Sequence, residues 1–265
     1  MYETTYHRPG SIAEAAAMLS KAADGKLLAG GQTLIPTMKQ RLASPSDLVD
    51  IGGLAELQGI TVGGGTVTIG AGTKHGEVAG SADVAAAIPA LGALAEGIGD
   101  PHVRQMGTLG GSIANNDPAA DYPAAVVGLG ATVTTSKRTI AGDDFFTGMF
   151  ETALDEGEIV TKVAFPVPAK AGYAKFPNPA SRYAMVGVMV SKGTDGAVRV
   201  AVTGAGPCVF RVPAMEAALA ANWSPAALDG IAVSAADLNA DIHGSAEYRA
   251  NLVTVMAKRA VAAAG

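Results

Sequence analysis

Two Gly-Gly steps, Ala29-Gly30-Gly31-Gln32-Thr33 and Thr108-Leu109-Gly110-Gly111-Ser112, constrain this chain more than any other feature. Each sets paired glycines beside a hydroxyl residue, in backbone that can curl and aim successive N–H groups at an anion. One such pair reads most simply as a tight turn. Two pairs, the first directly after a strand-like run at 26–29, suggest a diphosphate held from both sides. Neither stretch contains Lys or Arg, so amides and the hydroxyls of Thr33, Thr108 and Ser112 would have to hold it. On the residues alone, tight turn and anion nest both stand.

The familiar nucleotide fingerprints do not compete. A Rossmann turn needs Gly-x-Gly-x-x-Gly between strand and helix. Gly70-Ala71-Gly72 runs on to His75 and Gly97-Ile98-Gly99 to His102, and there is no Walker A sequence. Nucleic acid and acidic membranes are poor partners, because the net charge is −5 with Lys and Arg scattered. The single cysteine, Cys208, rules out an internal disulfide and a cysteine-ligated iron–sulfur cluster. It reads as a small buried hydrophobe after a Gly-Pro turn. With no apolar leader and no run near the ~18 apolar residues of a membrane span, a cytoplasmic protein is expected.

Taken in order, Ser11-Ile-Ala-Glu14 reads as a capping box for a helix closing near Asp24-Gly25. Thr33 is placed to cap a short helix reaching Arg41, and 47–51 is strand-like. A hairpin is expected at 60–69 around Gly63-Gly64-Gly65, then helices at 74–79 and 82–96 and a short apolar one ending at Leu129. Strands follow at 131–135 and 158–165, and Pro166 and Pro168 mark a boundary. A meander at 184–203 and helices at 213–220 and 245–262 complete the pattern. In the last helix Tyr248, Leu252, Val255 and Met256 fall at core spacing.

Polar candidates for chemistry are few. Asp117 and Asp121 would repel a diphosphate, so they suit sugar hydroxyls, although Asp117 before Pro118 also reads as a turn starter. His7, His75, His102 and His243 show no metal spacing and read as surface or capping residues, His102 being the nearest to a glycine stretch. No Ser/His/Asp order or carboxylate pair supports hydrolase chemistry.

At 29–39 (Ala-Gly-Gly-Gln-Thr-Leu-Ile-Pro-Thr-Met-Lys) and 107–114 (Gly-Thr-Leu-Gly-Gly-Ser-Ile-Ala), continued by Asp117-Pro118-Ala-Ala-Asp121, the sequence resembles a known family. It is similar to the FAD-binding medium subunit of molybdenum hydroxylases, of the aerobic carbon monoxide dehydrogenase and xanthine dehydrogenase type. Lys175-Phe176, Ser181-Arg182-Tyr183-Ala184 and the segment Asp241 to Arg249 extend the resemblance over nearly the whole chain.

The resemblance implies an α+β flavoprotein. Two subdomains of the vanillyl-alcohol-oxidase-like (PCMH-type) FAD fold would cover 1–57 and 58–170. A C-terminal domain, a three-stranded sheet with helices, would cover 171–265. Ala29, Gly30, Gly31, Gln32, Thr33 and Leu34 would form one FAD loop, and Thr108, Gly110, Gly111 and Ser112 the other. Asp117 and Asp121 would lie on the nucleotide side, Asp121 on a sugar hydroxyl, and Val160 would present backbone to the cofactor. Lys175 is an expected flavin contact and Tyr183 would border the isoalloxazine ring. Without the resemblance these two read as an exposed strand Lys and a half-buried strand aromatic.

Gln32 stands where some relatives carry a histidine joined to FAD, so the FAD is expected to be noncovalent. [2Fe-2S] clusters and molybdopterin would reside only in partner subunits. The implied role is electron transfer, from a small iron–sulfur subunit that serves a large molybdenum subunit to an external acceptor, in a dimer of heterotrimers (a heterohexamer). A stand-alone FAD-dependent reductase or oxidase on the same fold is the alternative, but it needs a substrate acid or base that the sequence does not offer. In a third reading, a scaffold, the glycine turns are merely structural.

Overall fold

The computed structural model describes residues 1–264 as three main sheets that follow one another along the chain, with a fourth of only two strands. The first joins β1 (Thr5–His7), β2 (Gly25–Leu28) and β3 (Asp47–Asp50) in parallel, in the order β1-β3-β2. Parallel strands need crossovers, which α1 (Ile12–Leu19) and α2 (Leu34–Lys39) supply. The Ser11 hydroxyl accepts from the Glu14 amide at 3.2 Å as a cap should. Glu14, however, accepts from the Gly10 amide (2.6 Å), and α1 ends at Leu19, short of Asp24-Gly25. Thr33 precedes α2 in helical backbone (φ −108°, ψ −52°), which turns its hydroxyl away from a capping bond.

The second sheet is antiparallel: β4 (Ile60–Gly63), β5 (Thr66–Gly70), β6 (Thr132–Thr135), β7 (Thr139–Ala141) and β10 (Val160–Pro166) in the order β4-β5-β10-β6-β7. A small ribbon of β8 (Phe146–Gly148) and β9 (Glu151–Thr152) stands apart from it. Between β5 and β6 run α3 (His75–Ala79), α4 (Ala82–Ala87), α5 (Pro89–Glu96), α6 (Pro101–Met106), α7 (Leu109–Asn115) and α8 (Tyr122–Gly128); α9 (Gly142–Phe145) follows β7. The helix expected over 82–96 is two helices, because Pro89 has no N–H to continue α4 and instead opens α5. α6 begins on Asp100, whose carboxylate accepts from the Val103 amide at 3.0 Å.

The third sheet has the expected strands, β11 (Lys170–Pro177), β12 (Ala184–Lys192) and β13 (Val198–Thr203), with β14 (Phe210–Arg211) as a short fourth. β12 is buried along both faces, as α8 packs on this sheet from one side and α11 (Ala246–Ala263), the last helix after α10 (Pro213–Ala221), from the other. Leu252 and Met256 occupy the expected core face of α11. Tyr248 does not. It is 43% exposed, with its ring edge-to-face on Phe176, and Val255 is only partly buried. Arg249 takes the inner position, donating to the Met185 and Gly204 carbonyls (2.7 and 3.1 Å) and to Asp241 (2.7 Å). Among the described residues no helix is long and apolar enough to cross a membrane.

Candidate functional site

A cleft of about 940 Å³ opens where the three sheets approach one another. Ala29 to Leu34 line it, as do Thr108, Gly110, Gly111, Ser112, Asp117, Asp121, Val160 and Tyr183. Of the residues expected to bind the cofactor, only Lys175 lies off the wall.

The first glycine stretch leaves β2 and turns at Gly31, whose φ of +69° favours glycine. A Cβ on Gly30 would collide with the Met106 carbonyl and the Gly107 Cα, so glycine here lets the loop lie against the α6–α7 connection. The amides of Gly30, Gly31, Gln32 and Thr33 have no partner among the described residues. Four unpaired donors on one wall are what an anion needs.

The second stretch is built differently. It is no free turn but the start of α7, with Thr108 as its cap. The Leu109 amide donates to the Thr73 carbonyl (3.1 Å) and that of Gly110 to the Ala71 carbonyl (2.8 Å). The Gly111 amide donates to the Thr108 hydroxyl (3.1 Å) and that of Ser112 to the Thr108 carbonyl (3.0 Å). These amides are committed inside the chain, which corrects the expectation of two equivalent nests. Gly110 serves packing instead, because a Cβ there would meet the Ala71 Cβ at 2.5 Å.

Beyond α7, residues 117–121 carry the acidic part of the wall. The Asp117 carboxylate accepts from the Ala119 amide (2.9 Å), so it starts a turn while also lining the cleft. The C-terminal sheet fixes this segment: the Ala184 and Gly204 amides donate to the Ala119 and Pro118 carbonyls (3.2 and 2.9 Å), and the Thr203 hydroxyl to the Ala120 carbonyl (2.6 Å).

Asp121 forms the floor, 4% exposed. Its Oδ1 accepts from the Tyr173 hydroxyl at 2.6 Å and lies 2.9 Å from the Lys175 ammonium. Burial pushes the Asp121 carboxyl up, and the Lys175 charge and the hydrogen bonds of Tyr173 and Lys175 oppose that push. Burial and Asp121 together push the Tyr173 hydroxyl well above its ordinary range. Lys175 also donates to the Gly97 carbonyl (2.7 Å), which stations it behind Asp121. At the mouth, the Tyr183 hydroxyl accepts from the Asn178 amide (2.9 Å), with its ring centroid 6.4 Å from that of His243.

His102 lies at the surface, as expected: its side chain is 99% exposed and 3.6 Å from Asp100, away from the cleft. Two other expectations change. His75, expected at the surface or as a cap, is 5% exposed and lines the cleft, with its ring centroid 5.4 Å from that of Tyr122. Burial, with Arg104 nearby, presses its pKa down to about 4, so the ring is neutral. Its position at the start of a predicted helix was its only sequence signal. Cys208 is half-buried rather than sealed, its sulfur 3.7 Å from the Asn116 amide nitrogen.

The donor set suits a diphosphate held by neutral groups. Lys26 is the sole Lys or Arg among the cleft-lining residues, and it is exposed and 3.4 Å from Asp24. Among the described residues no group of His, Cys, Asp or Glu could hold a metal ion.

Comparisons with known proteins agree with this reading. Residues 2–168 match the family described as FAD binding domain in molybdopterin dehydrogenase, and 171–264 the CO dehydrogenase flavoprotein C-terminal domain. The chain is 36% identical to the nicotine 6-hydroxylase medium subunit of Paenarthrobacter nicotinovorans, covering 98% of this chain and 96% of that one. It is 38% identical to the carbon monoxide dehydrogenase medium chain of Afipia carboxidovorans, covering 97% and 94%. Among solved structures, reconstituted CO dehydrogenase from Oligotropha carboxidovorans superposes with a TM-score of 0.90 at 35% identity, covering 99% of this chain and 97% of that one. The fold is therefore the FAD-binding arrangement expected from the resemblance, followed by its C-terminal sheet and helices, and the chain belongs to the FAD-binding medium-subunit family of the molybdopterin dehydrogenases, a family of oxidoreductases.

Proposed function

We propose that this chain is the electron-transfer subunit of a multi-subunit molybdenum hydroxylase. It takes electrons from the [2Fe-2S] clusters of a small partner subunit, which receive them from a large molybdenum subunit, and passes them to an external acceptor. The observation that carries this reading is the run of four unpaired amides at Gly30 to Thr33, in one cleft with Ser112 and the buried Asp121. When bound, FAD supplies a group able to accept electrons singly or in pairs. The protein's own part is to hold and orient it. The loop amides would take the diphosphate, Asp117 and Asp121 would accept from sugar hydroxyls, Val160 would offer backbone, and Tyr183 would border the flavin ring. Lys175 acts through Asp121, whose charged form its ammonium favours against the cost of burial.

Gln32 offers no side chain for a histidyl–flavin link, so the FAD is noncovalent. The units 1–57, 58–170 and 171–265 form the two FAD subdomains and the C-terminal domain, and the assembly is a cytoplasmic dimer of heterotrimers. Names such as "medium chain" among the relatives support partner subunits of two other sizes. Purified full-length chain should show an oxidised-flavin spectrum, with the flavin released intact by acid. Gly31→Val, which forces a β-branched residue to φ +69°, should lower FAD content about ten-fold or more. Colourless protein that cannot be reconstituted with FAD would overturn the reading.

A further inference from the structure

The four backbone amides at positions 109–112 are committed inside the chain, so the second glycine stretch offers an anion only the Thr108 and Ser112 hydroxyls and no free backbone N–H. We propose that His75 fills that shortage, its Nε2–H donating to the diphosphate of the bound dinucleotide. The inference rests on the FAD reading above and adds to it a residue that neither the sequence motifs nor the relatives' names single out.

The ring is placed for this by its own backbone, since the His75 amide donates to the Gly107 carbonyl at 2.9 Å and Lys74 bridges to Thr108. Its two nitrogens differ. Nδ1 is sealed from solvent with no partner in the structure, and the Tyr122 hydroxyl behind it is equally unpartnered. Nε2 lies against Gly107, where a Cβ would sit only 2.7 Å away. Only glycine at 107 lets the ring reach this part of the wall. Gly107 in turn abuts Gly30, so Nε2 borders the strip that carries the free amides.

A neutral imidazole carries one proton, and an orphaned lone pair costs less than an orphaned N–H. Nδ1 therefore keeps the lone pair and Nε2 the proton. Arg104 does not compete for the anion, because its guanidinium is turned to the Ile98 and Gly99 carbonyls (3.0 and 3.3 Å). The wall is then consistent in kind on both sides: hydrogen-bond donors without charge.

The test uses full-length chain freed of FAD and titrated with FAD, with ADP (a diphosphate without flavin) and with riboflavin (a flavin without phosphate). His75→Phe keeps a ring and removes both nitrogens, His75→Gln places an N–H near Nε2, and His75→Asn places one near Nδ1. For His75→Phe the expected result is a loss of about ten-fold or more, alike for FAD and ADP, with riboflavin unchanged. His75→Gln should recover most of it and His75→Asn little. FAD binding within two-fold of wild type in His75→Phe, or a loss confined to riboflavin, would overturn the proposal. If His75→Phe does not fold, equal ADP affinities for the Gln and Asn variants would do the same. Wild-type chain that takes up no FAD brings down the flavin reading itself, and the ADP titrations then decide His75 separately.

Discussion

His75 makes stability as well as binding depend on protons. An unfolded imidazole titrates near 6.5, while the buried ring titrates near 4. Below about pH 6.5 the unfolded chain therefore binds a proton that the native chain refuses. Stability should fall with pH from there, by up to about 1.4 kcal/mol per unit, until the native ring itself titrates near 4. Above pH 6.5 His75 should contribute no slope. Urea unfolding of wild type and His75→Gln between pH 7 and 5 checks this, because the variant should lose that part of the slope, and parallel curves would contradict it. Residues of this kind are also where the sequence was least readable. Gly31 was legible because few other residues tolerate φ +69°. His75 was not, because a histidine opening a helix looks the same whether it is buried or exposed. Tyr122 and Gly107, distant along the chain, decide its burial.

At the level of elements, the two glycine stretches show what a motif can and cannot say. Both were visible as turns, but the second is a helix start. Paired glycines disfavour helix by about 1 kcal/mol each relative to alanine, yet the close approach of Ala71 needs glycine at 110, and at 111 a Cβ would press on the Thr108 hydroxyl at 2.9 Å. Tertiary packing outweighed local preference. The β8–β9 ribbon was unreadable for another reason: its strands are too short for any periodicity. Asn116 organises it from a distance, in left-handed backbone (φ 42°), donating to the Gly148 and Glu151 carbonyls at 2.8 Å each. Asn116→Ala should cost about 2 kcal/mol, two carbonyls losing their donor, measured as a lower urea midpoint with unchanged far-UV circular dichroism. A midpoint matching wild type would show the ribbon to be held by its own turn.

Across the whole molecule, the sequence marks Pro166 and Pro168 as a boundary but does not show how much of the third sheet packs against what precedes it. Hydrophobic periodicity locates each sheet by itself, whereas the contacts that cross are α8 and α5 packing on the third sheet, with Met189 in the shared core, and single polar groups without pattern. The Lys175–Asp121 pair is the most consequential of them, joining β11 to the segment before α8 with both side chains nearly buried. Lys175→Met should cost about 3–5 kcal/mol, because it leaves a buried carboxylate without its counter-charge. FAD affinity should fall with it, since Asp121 would then resist ionisation. Thermal unfolding and flavin titration read the two effects separately, and a variant as stable as wild type would mean that water replaces the ammonium.

The floor and the mouth of the cleft have a consequence for how the protein is made. Gly30 and Gly111 are synthesised well before Tyr173, Lys175 and Tyr183, and residues 117–121 are fixed only when Ala184, Thr203 and Gly204 dock on them. A nascent chain that has delivered both glycine stretches still lacks Ser181 and Tyr183 on the wall and the strands that fix residues 117–121. Completion of the cleft should therefore come last, after β13 has left the ribosome. A cell short of flavin would accumulate completed chains awaiting cofactor, not stalled ones.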